Sequence, residues 1–252
     1  MIRIREKVLT FFFLSVVLGV LLSNGMVASA DIYYVDINEG SNDNAGTAAA
    51  PWKTLHYSLS TIESGTLNVA AGTYSIAKGE SDSAITLSES DVTIIGEGDA
   101  AIGASNPTAV IDGTDAGGGG STEWNNGFTI TGSNVTIKGI SIKNFSTTNK
   151  SGIEISGGTG NKIRDCKIYN NYRGITITSS SAFKVQDCEI HSNTKYGLSV
   201  ETSTGGEIHR NTIYYHHAGD NEWGVYVKNC SPSIKRNKIY DNQIGVWVSS
   251  ST

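Results

Sequence analysis

The sequence Ile163-Arg-Asp-Cys-Lys-Ile168 is one copy of a short phrase that occurs five times in the C-terminal half of the chain. Each copy begins with Ile or Val and ends with Ile, and the copies begin at residues 137, 163, 185, 208 and 234. A polar stretch follows each copy, and then a tetrad of the form Gly-apolar-x-apolar. The copies recur at intervals of 26, 22, 23 and 26 residues. A period of this size predicts a solenoid, because each repeat buries its apolar face only against its neighbours.

The composition is typical of a chain rich in turns. The chain has 252 residues, of which 38% are hydrophobic, so it can build one substantial domain or one solenoid. It contains 29 glycines but only 3 prolines, which favours tight turns over helices. Alternation of apolar and polar residues, as in Val135-Thr-Ile137, predicts short strands with one face inward. The Gly-rich run at 117–122 is interpreted as a lateral loop within one coil.

The first thirty residues have the pattern of a secretory signal peptide. Arg3, Arg5 and Lys7 precede an apolar run from Val8 to Leu22, and the small-residue site Ala28-Ser-Ala30 follows. An uncleaved membrane anchor is the alternative, but the apolar run is shorter than the roughly 20 residues that a spanning helix needs. We therefore predict residues 1–30 as a cleaved signal, a secreted or cell-surface protein, and no membrane span after cleavage.

Charge and cysteine content exclude some classes of partner and fold. The net charge is −5, and removal of the signal, with three basic residues and one acid, gives −5 − 2 = −7. A nucleic-acid partner is not expected, because binding phosphate requires a basic surface. The 3 cysteines can form at most one pair, so disulfides do not define the fold.

Residues 31–66 are predicted to form an N-terminal cap that comprises a short strand, a polar loop and a helix. Apolar residues between Pro51 and Ile62 recur at helical spacing, which indicates a short amphipathic helix over the first coil. In the polar loop, the side chains of Asp36, Asn38 and Asp43 could ligate a calcium ion, which prefers several oxygen ligands. Asn, Asp and Gly also form turns without a metal, which is the simpler interpretation of the loop.

Four further motifs lie in the N-terminal part of the chain: Tyr33-Tyr-Val35, Gly-Ser-Asn-Asp-Asn-Ala-Gly-Thr at 40–47, Pro51-Trp-Lys-Thr-Leu55 and Ala71-Gly-Thr-Tyr74. Together with the five repeats, they resemble the secreted right-handed parallel β-helix proteins of the pectate-lyase-like superfamily. The resemblance implies an all-β right-handed parallel β-helix over 67–252, with about eight coils of three short strands. It is specific for the fold and not for an activity, because the superfamily contains lyases, hydrolases, epimerases and non-catalytic surface proteins.

The resemblance also assigns the residues of each repeat to strands and turns. Asn211 and Asn237 fall in the tight turn between the second and third strands, where the family stacks asparagine amides that satisfy buried polar groups. Cys166 and Cys188 occupy the same position one coil apart. Neighbouring strands lie about 4.8 Å apart, so a disulfide and a pair of buried free thiols both fit, and free thiols are the more common outcome for an inward ladder.

The tetrads predict a row of outward side chains down one sheet, because the residue between two inward apolar residues points to solvent. The row contains Thr129, Glu154, Thr176, Ser199, Tyr226 and Trp247. The loop at 214–223 is the longest of the regular ones, and it is expected to place His216, His217 and Trp223 beside Tyr226. We interpret Tyr226, Trp247 and this loop as a surface for sugar rings. The alternative is that these aromatic residues only support each other across coils.

Candidate catalytic residues are few. A glycoside hydrolase needs two carboxylates about 5 Å or roughly 6.5–9.5 Å apart, and Glu154 and Glu201 lie two coils apart at or beyond that limit. In lyases of the resembled superfamily, a Lys or Arg base acts beside calcium held by several acids. Lys228 near Glu201, with Asp220, could serve in this way. No cluster of aspartates on adjacent strands is visible in the sequence, so calcium is only a possible cofactor.

Two functional hypotheses follow from these observations. The first is a secreted β-helix that binds, and by a lyase reaction cleaves, an extracellular polysaccharide or cell-surface glycan. The second is a non-catalytic cell-surface or adhesion solenoid. The chain stops at Thr252 directly after a tetrad, without a closing element, and natural solenoids cover such a strand edge. We therefore expect further coils or another domain after this residue.

Overall fold

The computed structural model describes residues 31–81, 83–97, 107–114, 125–216 and 222–250. Within these ranges the chain forms three parallel sheets of seven, eight and seven strands. Successive strands belong to the three sheets in turn, and each strand pairs with the corresponding strands of the neighbouring coils. This is the parallel β-helix that the repeats predict. After the first strand, seven coils of three strands follow one another in the described ranges.

Each sheet collects one strand from every coil. The strands of sheet 1, which contain the tetrads, are Ile85–Leu87, Phe128–Ile130, Ser151–Ser156, Arg173–Thr178, Tyr196–Glu201, Trp223–Lys228 and Ile244–Ser249. The strands of sheet 2 are Ile32–Val35, Gly65–Val69, Val92–Gly96, Thr136–Lys138, Lys162–Arg164, Lys184–Gln186, Glu207–His209 and Ser233–Lys235. The strands of sheet 3 are Gly72–Tyr74, Ala109–Asp112, Ile140–Lys143, Lys167–Tyr169, Glu189–His191, Thr212–Tyr214 and Lys238–Tyr240.

The repeated phrase forms the core because its first and last residues both point inward. Ile163 is in register with Ile137 and Val185 in sheet 2, and Ile168 is in register with Ile190 in sheet 3. All of these side chains are fully buried. Identical aliphatic positions therefore stack at the strand spacing of about 4.8 Å and exclude water along the solenoid.

Residues with left-handed backbone make the corners between the sheets. Asp165, Asp187 and Arg210 have φ of 54°, 56° and 56° at the corner between sheets 2 and 3. Asn170 and Ser192 have φ of 56° and 54° at the corner between sheets 3 and 1. One such residue turns the chain sharply, and Asp or Asn adopts this conformation more readily than most other side chains do.

The predicted ladder in the corner between sheets 2 and 3 is present. Asn211 donates from its amide nitrogen Nδ2 to Oδ1 of Asn237 at 3.0 Å, and the backbone nitrogen of Cys188 donates to Oδ1 of Asn211 at 3.0 Å. Cys166 and Cys188 are buried free thiols in the same ladder. Burial, and then the neighbouring Cys166, raise the pKa of Cys188, so this thiol is held neutral.

The N-terminal cap contains one α-helix, α1, at Leu55–Thr61, which is shorter than the predicted range. Trp52 forms a bridge to Val35 instead of a helical turn, and the side chain of Thr54 accepts a hydrogen bond from the backbone nitrogen of Tyr57. No helix in the described ranges is long and apolar enough to cross a membrane. The predicted signal at 1–30 and the Gly-rich run at 117–122 lie outside those ranges.

The last coil differs from the others in exposure. Val246 and Val248 point inward like their counterparts in earlier coils, yet they are 43% and 63% exposed. Their equivalents Val225 and Val227 are buried, because the following coil covers them. Whether further coils follow Thr252 stays a prediction.

Candidate functional site

The outward row predicted from the tetrads is confirmed strand by strand. Glu154 is in register with Thr129 and Thr176, and Ser199 is in register with Thr176 and Tyr226. Trp247 continues the row beside Tyr226. These side chains therefore form a single line on the outer face of sheet 1, at intervals of about 4.8 Å.

The middle of this row is less accessible than the sequence suggests. Thr176 and Ser199 are only 5% and 1% exposed. The hydroxyl of Ser199 donates to Oγ1 of Thr176 at 3.3 Å, and Thr176 is also 2.8 Å from the hydroxyl of Ser151. These hydroxyls bond to one another, so this part of the row offers few free polar groups to a ligand.

Glu154 is held by a residue that the sequence interpretation missed. The amide Nδ2 of buried Asn126 donates to Oε2 of Glu154 and, at 3.1 Å, to Oγ1 of Thr129. Oδ1 of Asn126 accepts from the backbone nitrogen of Ser151 at 2.8 Å. An amide fixed in this way orients the carboxylate.

Four rings form what we call the sheet 1 cluster: Tyr196, Trp223, Tyr226 and Trp247. The rings of Tyr226 and Trp247 stack with centroids 4.8 Å apart and an interplanar angle of 2°. Tyr196 stacks on the other side of Tyr226 at 5.1 Å and 14°. The stacking direction therefore follows the solenoid axis, and both faces of Tyr226 are covered. A sugar would meet the edge of this ring and its hydroxyl group, not its face.

Trp223 lies out of plane with two of its neighbours. Its ring is tilted by 44° to Tyr226 and by 42° to Trp247. The ammonium group of Lys195 lies 5.4 Å from the ring centroid of Trp223, and the guanidinium of Arg173 lies 5.5 Å from that of Tyr196. The sheet 1 cluster therefore has a cationic rim on one side, which the sequence interpretation did not include.

The opposite side of the cluster carries Glu201 and Lys228. These two residues are direct partners on adjacent strands. Burial raises the pKa of Tyr226 and the Glu201 carboxylate raises it further, so the Tyr226 hydroxyl stays protonated and can act as a hydrogen-bond donor. Lys228 is exposed beside them. Asp220, which the sequence places with Lys228, lies outside the described residues.

The two candidate carboxylates do not form a close pair. Glu201 is in register with Thr178, whereas Glu154 is in register with Thr176, two residues earlier on the same strand. Two coils along the axis and two residues along the strand separate their Cα atoms by about 12 Å. This separation is larger than the roughly 6.5–9.5 Å that an inverting glycosidase uses between its carboxyl groups.

His216 is not in an exposed loop, contrary to our expectation. Its side chain is fully buried, Nε2 lies 3.2 Å from Nδ2 of Asn193, and Nδ1 lies 2.7 Å from Oδ1 of Asn242. Asn193 continues this corner ladder by accepting from Nδ2 of Asn171 at 3.0 Å. His216 thus fills an asparagine position between sheets 3 and 1, and we leave it out of the surface. His217 lies outside the described residues.

The calcium candidates of the N-terminal loop are engaged in turns. Oδ1 of Asp36 accepts from the backbone nitrogens of Asn38 and Glu39 at 2.8 and 3.2 Å. Nδ2 of Asn38 donates to the carbonyl of Ala71, and the backbone nitrogen of Asp43 donates to a serine hydroxyl. In the part of the chain that the structure describes, no three His, Cys, Asp or Glu residues group closely enough to hold a metal.

A second aromatic stack, which we call the sheet 3 ladder, was missed in the sequence. Tyr169, His191, Tyr214 and Tyr240 stack in successive coils with centroids 4.9–5.1 Å apart and interplanar angles of 6–16°. The hydroxyl of Tyr214 donates to Oε1 of Glu189 at 2.6 Å. Burial lowers the pKa of His191. Each of these rings directly follows the last Ile of a repeated phrase, which is the signal that could have identified them.

Comparison of the sequence with protein families finds one match. The family described as "Right handed beta helix region" matches residues 79–224 and 120–252. The two ranges overlap and together include all five copies of the repeated phrase. No curated protein matches the chain in sequence.

Several solved structures share the fold at low sequence identity. A rhamnogalacturonan lyase superposes with a TM-score of 0.67 and 16% identity, covering 88% of this chain and 62% of the lyase. A pectate lyase gives 0.60 and 17%, with coverage of 87% and 68%. A lacto-N-biosidase from Eubacterium ramulus gives 0.57 and 13%, with coverage of 84% and 52%. This chain thus spans about half to two thirds of the length of these three proteins.

Proposed function

Because the chain belongs to the right-handed β-helix family, with the fold of the pectate-lyase-like superfamily, we propose that it is a secreted protein that binds an extracellular polysaccharide along the outer face of sheet 1. The observation that carries the proposal is the sheet 1 cluster, where four aromatic rings lie on the outside of one sheet beside a row of polar residues. The three solved proteins named above are a rhamnogalacturonan lyase, a pectate lyase and a lacto-N-biosidase, and these activities support a glycan as the class of ligand.

The chemistry of the cluster is suited to sugar hydroxyl groups. The Tyr226 hydroxyl can donate a hydrogen bond, Glu201 can accept one, and the ammonium of Lys195 can donate on the other side of the rings. The tilted ring of Trp223 adds apolar contact for the carbon–hydrogen face of a sugar. In this arrangement polar contacts provide orientation, and the aromatic edges exclude water.

Lyase cleavage is the finer part of the proposal. It requires a base that removes the proton beside a uronate carboxylate, after which the glycosidic oxygen leaves and an unsaturated sugar remains. Lys228, next to Glu201, is the candidate base on this face. Glu154, fixed by Asn126, and Asp220 are the other candidates for contact with the reacting sugar. In the superfamily that the chain resembles, calcium neutralises the uronate carboxylate, but no three His, Cys, Asp or Glu residues in the described ranges group closely enough to hold it, so we propose no step on calcium.

A non-catalytic surface solenoid is the second candidate, and one observation favours it. Both faces of the Tyr226 ring are covered by other rings, and the hydroxyls of Thr176 and Ser199 bond to each other. Side chains that are engaged in this way stabilise the sheet without any ligand. In this case the outer face would serve as scaffold for a cell-surface role.

The deciding experiment is incubation of the full chain with polyuronates and neutral glycans, with and without a calcium chelator. Binding is measured by calorimetry, and cleavage by absorbance of the unsaturated product and by new reducing ends. We expect binding of at least one glycan that the Tyr226→Ala and Trp247→Ala variants weaken. Cleavage that Lys228→Gln abolishes would establish the lyase. If no glycan is bound or changed, the proposal fails and the surface solenoid is favoured.

A further inference from the structure

Sheet 2 carries a concentration of positive charge in its last five coils. Its strands and the corner that follows them contain seven basic residues, whereas the whole chain has a net charge of −5. The seven are Lys138, Lys162, Arg164, Lys184, Arg210, Lys235 and Arg236. The same segments contain three acids, Asp165, Asp187 and Glu207, so the local charge is 7 − 3 = +4.

The basic residues follow the register of the sheet. Lys138 is the partner of Arg164, and Lys235 is the partner of His209, with Gln186 between Arg164 and His209 in the same outward row. The strands are parallel and in register, so this row runs straight along the solenoid axis. From Lys138 to Lys235 it spans four coils, or about 19 Å.

The acids of this face are already paired. Arg210 binds Asp187 with two hydrogen bonds of 2.7 Å, Lys184 lies 2.9 Å from Glu207, and Arg164 lies 3.0 Å from Asp165. Four cations remain for which the described residues provide no ion pair: Lys138, Lys162, Lys235 and Arg236. Three of them, Lys162, Lys235 and Arg236, are exposed, and Lys138 is half-buried.

We propose that this basic face of sheet 2 binds a linear acidic polysaccharide that carries one carboxylate per sugar residue. The four cations without an ion pair lie in the first two and the last of the five coils, and the paired cations Lys184 and Arg210 lie in the coils between them, so positive charge recurs about every 4.8 Å along the axis. This spacing is close to the length that one sugar adds to an extended polyuronate. Duplex nucleic acid carries one negative charge per about 1.7 Å, and its phosphates lie on a curved surface that a flat sheet does not match.

The basic face is separate from the sheet 1 cluster and does not depend on the function proposed for it. The two faces belong to different sheets of the same coils, so one chain could hold an acidic polymer on sheet 2 while sheet 1 contacts another part of a glycan. Binding at the two faces can be distinguished, because the sheet 2 interaction is mainly ionic and should weaken steeply with salt.

The test compares two triple variants with equal net charge in the full chain. K138Q/K162Q/K235Q removes cations of the basic face. K53Q/K78Q/K238Q removes one cation from the cap, one that follows the first strand of sheet 3 and one from the last strand of sheet 3. Affinity for alginate, dextran and a single-stranded DNA with a similar number of charges is measured by calorimetry at 50 and 200 mM salt, and melting curves check folding. Trp247→Ala reports on sheet 1 in the same assays.

We expect alginate to bind and dextran not to bind at the basic face. The sheet 2 variant should lose about tenfold or more in affinity, with a weaker salt dependence, whereas its control should change less than about twofold. An equal loss in both variants would show a general charge effect and overturn the proposal. Absence of alginate binding, or tighter binding of DNA than of alginate, would also overturn it. If the triple variant melts early, K138Q and K235Q as single variants provide the same comparison.

Discussion

The sheet 1 cluster and the sheet 3 ladder are both stacks of aromatic rings, but they differ in how many rings each coil contributes. The sheet 3 ladder has one ring per coil, and its planes stay within 16° of each other. In the sheet 1 cluster, one strand contributes both Trp223 and Tyr226, and Trp223 is tilted by more than 40° to two neighbours. In a single column of stacked rings, as in the sheet 3 ladder, each ring covers the faces of its neighbours. In the sheet 1 cluster a second ring lies beside the column, and part of its surface is not covered by stacking. We therefore propose that the ladder serves stability and the cluster serves binding.

We expect the largest effect from a substitution in the corner between sheets 3 and 1, where His216 is buried. His216→Ala removes the partner of buried Asn193 and of Asn242, and an unsatisfied buried polar group is costly. We expect the free energy of unfolding to fall by about 3 kcal/mol, as measured by denaturant titration. His216→Asn restores an asparagine to the ladder and should recover most of the loss. An unchanged stability in His216→Ala would return this residue to the list of binding candidates.

The next largest effect is expected in the sheet 3 ladder. Tyr214→Ala removes a ring that stacks on both His191 and Tyr240, and it should lower the free energy of unfolding by about 2 kcal/mol. Tyr214→Phe loses only the hydrogen bond to Glu189, at a cost of about 1 kcal/mol. Neither variant should change glycan binding at sheet 1. A loss of binding without a loss of stability would reverse the roles that we give to the two stacks.

The third effect concerns binding at the sheet 1 cluster. Trp247→Ala and Tyr226→Ala should each reduce glycan affinity about tenfold, or about 1.4 kcal/mol, because they remove aromatic surface and, at Tyr226, a hydroxyl donor. Tyr240→Ala is the matched control, since it removes a ring at the same end of the sheet 3 ladder. The affinity is measured by calorimetric titration with a glycan that binds in the incubation with polyuronates and neutral glycans described above. Equal affinity in all three variants would exclude the cluster as the binding surface.

The smallest effect is a pH dependence from His191. Burial lowers its pKa in the folded protein, and the charge of Lys167 acts in the same direction while Glu189 opposes it. The unfolded chain, with a His pKa of about 6.5, then binds a proton more readily, so stability falls as the pH drops below about 6.5. His191→Phe should reduce the difference in melting temperature between pH 7 and pH 5, and His209→Gln should not. If the melting temperature falls equally between pH 7 and pH 5 in the parent protein and in both variants, the pH dependence arises from other titratable groups.

The register between strands of adjacent coils could be predicted from the sequence for two reasons. Apolar and polar residues alternate along each strand, and the repeated phrase has the same length in every copy, so only one pairing of the strands keeps all apolar residues inside. The outward row from Thr129 to Trp247 and the ladder of Asn211 and Asn237 follow directly from it. Tyr196 is absent from the predicted surface because it precedes the Gly of its tetrad, whereas the strand begins at Tyr196. The burial of Ser199 depends on bulky neighbours in adjacent coils, and no single repeat contains that information.

His216 belongs both to a local pair, His216-His217, and to a position that recurs in every repeat, and the local pair led to the wrong interpretation. The pair His216-His217 suggests a loop with chemistry, yet His216 lies three residues after Ile213, as Asn171 does after Ile168 and Asn193 after Ile190. Counting from the repeated phrase would have placed it in the corner ladder. The cationic rim and the basic face could not be predicted from the repeats, because they depend on contacts between side chains of different coils. Such contacts depend on the length and direction of the side chains as well as on the register of the strands.

The left-handed corner residues have a consequence for how this molecule can change. In the five coils that contain the repeated phrase, one residue at positive φ closes the corner between sheets 2 and 3, and the phrase has the same length in each coil. In these five coils length variation is confined to the other corners, so insertions alter the loops while every outward position keeps its place. Each outward position of a strand therefore has an equivalent position in the next coil. Exchanging the residues at two such positions would move a side chain along the solenoid axis by about 4.8 Å.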